Sequence, residues 1–158
     1  VGFDFDKIPF SMLAHEYMED YQEKSYACDL HSDVLDVVNK AKNLGFSQTV
    51  LSASKMDYLL KQMKTLHVDD LFDSIYGIND IYAKSKVELA HAFKQTCSLD
   101  DEIYFVGDSV HDYEVAKSIG AKCILVTTGH QNRATLESVN VPVMDSLMES
   151  LDFIYERD

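Results

Sequence analysis

The chain has 158 residues and a mass of 17.9 kDa, enough for one domain whose single core needs no disulfide staples. With 27 Asp and Glu against 14 Lys and Arg, its formal net charge is -13, so most of the surface repels a phosphate backbone and nucleic acid is set aside as a partner. No stretch approaches the ~20 apolar residues a membrane helix needs, and the three cysteines, odd in number and irregularly spaced, fit reduced thiols in a cytoplasm.

Residues 1–9, VGFDFDKIP, lead into a helical pattern from Phe10 to Ser25 with Phe10, Leu13, Tyr17 and Tyr21 on one face. A second helix is expected to be capped by Ser32, to turn Val34, Leu35, Val38, Ala41 and Leu44 inward and to stop at Gly45. Phe46 to Leu51 then reads as a strand ending in Ser52, and Ser54 as the N-cap of a third helix carrying Met56, Leu59, Leu60 and Met63. A short strand follows at Ser74–Ile78, with Asn79 and Asp80 marking the turn out.

Ser85 and Glu88 form a Ser-x-x-Glu capping pattern, which places Lys86 in the first turn of the next helix. A lysine opposes the helix dipole at that end. Ile103–Val106 is an apolar run that reads as a strand buried on both faces, and Gly107 ends it. Asp108 then stands at the strand's carboxyl end, with Asp112 four residues on and a helical stripe closed by Gly120. Lys122–Val126 is a further strand, TTGHQ leads to a short helix over 134–139, Val141–Val143 is a small strand, and Asp145 is placed as the cap of a closing helix. Strands and helices alternate, so the fold class is α/β, a three-layer Rossmann-like domain with a mostly parallel sheet.

Two readings fit Asp108 and Asp112. Paired carboxylates at a strand end suit Mg²⁺, whereas Ser109 and Asp112 also match a Ser-x-x-Asp capping box with Asp108 a solvated turn residue. Ser52, Lys86, Asp108 and Asp112 all lie at strand ends or helix starts, positions that converge on one rim of a doubly wound sheet. Their chemistry is complementary, because a hydroxyl and an ammonium bind phosphate oxygens while carboxylates hold a cation.

In this order the segments LSAS with Ser52, SKVELA with Lys86 and VGDSVHD with Asp108 and Asp112 resemble the second, third and fourth motifs of the haloacid dehalogenase superfamily. The likeness covers residues 28–145, and its lead-in HSDVLDVVNKAKNLGF resembles the corresponding helix of phosphoglycolate phosphatase relatives, without their proline and glycine. TTGHQ, with Gly129, is similar to the loop after the fifth strand. Lys84 competes with Lys86 for the third motif; the capping pattern favours Lys86. His111, inside the fourth motif, is the histidine expected nearest the site.

The resemblance implies a Mg²⁺-dependent phosphatase acting on a small phosphorylated metabolite through an aspartyl-phosphate. Asp108 and Asp112 would anchor the ion, Ser52 and Lys86 would bind the phosphoryl group, and Lys86 and Asp108 would serve catalysis. A dehalogenase has no need of the two cation-binding aspartates. The first motif, which carries the nucleophile, is expected upstream of Val1, with Asp4-Phe5-Asp6 as a degenerate alternative. On the former view residues 1–27 are the remnant of a helical cap and residues 28–158 the α/β core. The strand of the first motif would lie between those of the second and fourth, so a further chain segment, a second subunit or VGFDF must complete the sheet. A non-catalytic binding or regulatory module of the same fold is the alternative function.

Overall fold

Alternation of apolar strands with amphipathic helices sets the chain order of the computed structural model, which describes residues 9–25, 27–78 and 85–157. Its elements are α1 Phe10–Ser25, α2 Val34–Asn43, β1 Thr49–Lys55, α3 Met56–Thr65, β2 Ser74–Ile78, α4 Lys86–Lys94, β3 Tyr104–Gly107, α5 Val110–Ser118, β4 Lys122–Val126, α6 Arg133–Glu137, β5 Val143–Met144 and α7 Leu147–Tyr155. Asn79, Asp80 and Lys84 lie outside the described residues, as do Asp4 and Asp6. No helix among the described residues is long and apolar enough to cross a membrane.

Among the described residues all ladders are parallel, and they form two sheets. In the first, β1 pairs with β2, with Thr49 opposite Ser74 and their hydroxyls 2.7 Å apart. In the second, β4 is central, flanked by β3 and β5. Among the described residues no ladder joins β1 to β3.

Side-chain packing spans the division instead. Leu51 of β1 and Phe105 of β3 both rest on the buried cluster Ala90, Val115 and Ile119 beneath α4 and α5. A second cluster under α3 is built from Leu59, Met63 and Val68, and a third between β4, α5 and α6 from Ala116, Cys123, Leu125 and Leu136. Burial in the latter pushes the Cys123 thiol up to about 12, with the Asp112 charge adding to it.

Several local expectations give way to tertiary structure. β3 is not buried on both faces: Val106 is 37% exposed and Tyr104 and Phe105 are half-buried, since β3 pairs only with β4 among the described residues. β1 runs on to Lys55, so Ser52 and Ser54 lie within the strand and Lys55, not Ser54, precedes α3. Ladder pairing of Lys55 with Ile78 outweighs the local capping preference there.

Ser32 does not cap α2. Asp33 stands at that position without a side-chain cap bond, and its carboxylate instead accepts from the N–H groups of Leu147 and Met148 at the start of α7. Ser146 caps α7, accepting from Glu149 N, while Asp145 pairs with Arg133 and accepts from Thr127 Oγ1. Three of the four residues on the expected face of α1 are exposed, Phe10, Tyr17 and Tyr21 at 71%, 66% and 53%, while Leu13 is half-buried.

Candidate active site

The turn after β3 folds back so tightly that Gly107 must lack a side chain, since a Cβ there would stand 2.4 Å from Cβ of Asp112. Ser109 caps α5 in a complete capping box: its Oγ accepts from Asp112 N, and the Asp112 carboxylate accepts from Ser109 N at 3.1 Å. The same oxygen, Oδ2, also accepts from Asp108 N at 3.1 Å and from Ser109 Oγ at 2.7 Å.

The other oxygen of Asp112 faces across to α4. Lys86 Nζ donates to Oδ1 at 2.5 Å, and the two side chains are only 18% and 4% exposed. Ser85 caps α4 by accepting from Glu88 N at 3.3 Å, which places Lys86 at the first helical position. Its ammonium leaves the unfavourable helix end for a buried carboxylate 26 residues along the chain. Burial raises the Asp112 pKa, but the bonds from Lys86 and Ser109, the Lys86 charge and the Asp108 N–H outweigh it and hold the carboxyl below its ordinary value.

Asp108 remains more open, with its side chain 40% exposed. Its Oδ2 lies 3.2 Å from His130 Nδ1, and it backs onto Gly129, where a Cβ would come within 1.9 Å of that oxygen. Gln131 Oε1 accepts from Val110 N at 2.9 Å. The loop after β4 therefore grips both the carboxylate and the first turn of α5. His111, expected nearest the site, instead pairs with Glu114 at 3.2 Å and is 57% exposed. His130 takes the place beside Asp108, a contact between separate loops that spacing within VGDSVHD does not encode.

The structure thus brings Lys86, Asp112 and the Asp108 turn together. Ser52 is not bonded to them: among the described residues its hydroxyl accepts from Ser54 N at 3.1 Å. It lines a cleft of about 340 Å³ between α1, the end of β1 and α3, with Tyr21, Ser25, Lys55, Tyr58 and Gln62. A roomier hollow of about 490 Å³ lies along α3 alone, beside Asp57, Lys61 and Lys64, and contains none of the candidate residues.

Among the described residues no three metal-ligating side chains cluster. Asp108 nonetheless suits a hard cation. It is a carboxylate with solvent access at a strand end, and Mg²⁺ is held by one or two carboxylates with waters and substrate phosphate completing its shell. Asp112 has both oxygens engaged, so it would reach an ion through Asp108 and the turn or by exchanging Lys86.

The sequence profile of the haloacid dehalogenase-like hydrolases matches residues 3–126, a span that takes in Asp4-Phe5-Asp6 and ends with β4. No curated protein matches the sequence. Among solved structures, the chain is similar to a haloacid dehalogenase-like family hydrolase from Streptococcus pneumoniae, with 21% identity and a TM-score of 0.84 over 96% of this chain and 72% of that one. A predicted phosphatase from Clostridium acetobutylicum matches with 20% identity and a TM-score of 0.82 over 98% and 72%. A predicted phosphoglycolate phosphatase from Haemophilus somnus matches with 18% identity and a TM-score of 0.73 over 92% and 66%. At these identities the likeness shows the shared fold.

Proposed function

The chain belongs to the haloacid dehalogenase-like hydrolases, and we propose that within that family it is part of a Mg²⁺-dependent phosphatase for a small phosphomonoester. The observation that carries this reading is the buried Lys86–Asp112 pair at the carboxyl end of β3, beside the more open Asp108. A merely structural lysine gains little by leaving solvent. One placed where it can meet phosphoryl oxygens must be held in a fixed direction, and Asp112 does that.

In this reading Lys86 and Ser52 bind the phosphoryl oxygens, and Asp108 holds Mg²⁺. The ion would supply charge neutralisation to the phosphoryl group as negative charge develops. The Asp108 backbone N–H is committed to Asp112, which keeps the turn from collapsing when the carboxylate is engaged. The nucleophile of the aspartyl-phosphate route comes from a segment N-terminal to Pro9, either Asp4, which the family match includes, or an aspartate before Val1. In this reading a further chain segment or a second subunit would complete the sheet between β1 and β3.

The test is release of phosphate from a generic phosphomonoester by the full-length protein, with and without Mg²⁺. Activity that requires Mg²⁺ and falls at least about 10²-fold in Asp108→Asn is the expected result. Activity indifferent to Mg²⁺ and to Asp108→Asn would refute it. A fold-intact protein with no phosphatase activity that still binds phosphorylated ligands would instead favour a non-catalytic module. Comparing Asp4→Asn with the parent protein identifies the source of the nucleophile.

A further inference from the structure

The cleft beside Ser52 is larger than a two-carbon leaving group requires, and two tyrosines from different elements line it. Tyr21 comes from α1 and Tyr58 from α3, and they are 53% and 38% exposed. Tyr17 stacks on Tyr21 with ring centroids 6.2 Å apart and planes inclined by 21°, which limits how the Tyr21 ring can turn. Gln62 Nε2 donates to Ser25 O at 3.2 Å and ties the end of α1 to α3, so both walls are held by a bond across the cleft. Ser52 lines the same cleft, as does Lys55.

We infer that this cleft receives the leaving group of the substrate, and that the leaving group is a planar aromatic ring. The inference rests on the phosphatase reading of Ser52, which sets the phosphoryl end of the substrate beside that hydroxyl. The volume of about 340 Å³ falls within the range of pockets that hold ring-containing ligands, whereas the glycolate of phosphoglycolate would leave most of it to water. Exposed tyrosine rings present flat apolar faces at small cost in conformational freedom, and an aromatic ring packs on them by offset or edge contacts.

Titration calorimetry of the full-length protein with phenyl phosphate, phosphoglycolate and glucose 6-phosphate, each with Mg²⁺, tests the assignment. Phenyl phosphate is expected to bind roughly tenfold tighter than the other two. Tyr58→Ala and Tyr21→Ala are each expected to narrow that advantage toward parity. No binding of phenyl phosphate, equal binding of the three, or a loss in Tyr58→Ala shared equally by all of them overturns the inference. Phosphate release measured in parallel separates the two readings. Tyrosine-dependent binding without release keeps the cleft assignment and removes the hydrolase reading, while release that prefers phosphoglycolate does the reverse.

Discussion

Replacing Lys86 by methionine keeps an unbranched side chain of similar length and removes the charge. The Asp112 carboxylate, 4% exposed, would then keep its three bonds at Oδ2 and lose the one cation that faces Oδ1 among the described residues. Removing one partner of a buried ion pair typically costs about 3–5 kcal/mol, because the remaining charge stays desolvated. The Lys86 side chain is 18% exposed, so water can partly replace it and the lower end, about 3 kcal/mol, is expected. For a domain of this size each kcal/mol lowers Tm by roughly 2–4 °C, giving a fall of about 6–12 °C at pH 7 by circular dichroism.

The pH dependence separates this cause from a packing defect. In the parent protein the folded-state pKa of Asp112 is lowered, so its contribution to stability is present above the unfolded value near ~3.9 and is lost as pH falls through the folded value below it. In Lys86→Met the desolvation that raises the pKa loses its main opponent. The carboxyl's folded-state pKa then rises relative to the parent's, and its penalty is relieved as pH falls through that raised value. The deficit between variant and parent must therefore shrink between pH 7 and pH 4. A deficit below about 1 °C at pH 7, or one equal at both pH values, would refute the reasoning.

Gly129→Ala forces a Cβ against Asp108 Oδ2 and should weaken Mg²⁺ binding about 10–100-fold in titration calorimetry, while the chain stays folded; unchanged affinity would remove Asp108 from the ion. Asp33→Ala removes the carboxylate that accepts from Leu147 N and Met148 N and should cost about 1 kcal/mol in urea denaturation, with a fall in Tm expected from the same loss. Among the three thiols, exposed Cys28 should be alkylated first by iodoacetamide at pH 8 and buried Cys123, pushed up to about 12, last, as read by mass spectrometry.

Much of the fold was legible because it is local. The strand Ser74–Ile78 and the helix starting at Lys86 appear where their turn and capping residues put them, and Gly45 and Gly120 take the positive φ of 87° and 71° that ends α2 and α5. The misplaced ends share a cause. Asp33 serves a helix 114 positions away, and β1 outruns its local cap because β2 continues to pair with it. Neither partner is visible in a window of sequence. The same holds at the site, where Lys86, Asp108 and Asp112 were readable from motif order but His130 and Gln131 reach the Asp108 turn only through the approach of the loop after β4. Tyr17 and Tyr21 are a further case, since a stripe of aromatics on a helix ordinarily signals packing, whereas on α1 both rings are exposed.

The two sequence readings of Asp112, cap or functional acid, are rivals only if a carboxylate does one thing. It has two oxygens and about four acceptor sites. Oδ2 serves the turn, taking Asp108 N, Ser109 N and Ser109 Oγ, and those three bonds fix the plane of the carboxylate. With that plane fixed, Oδ1 is aimed at α4, where Lys86 meets it at 2.5 Å. The cap is thus the means by which the acid is directed. Gly107 is required for the same reason, because any side chain there would push Asp112 off the turn and swing Oδ1 away from the ammonium. A capping box that only ended a helix would work as well with Glu or Gln in the exposed position. This one is 3% exposed, and it holds the Lys86 ammonium in a fixed direction.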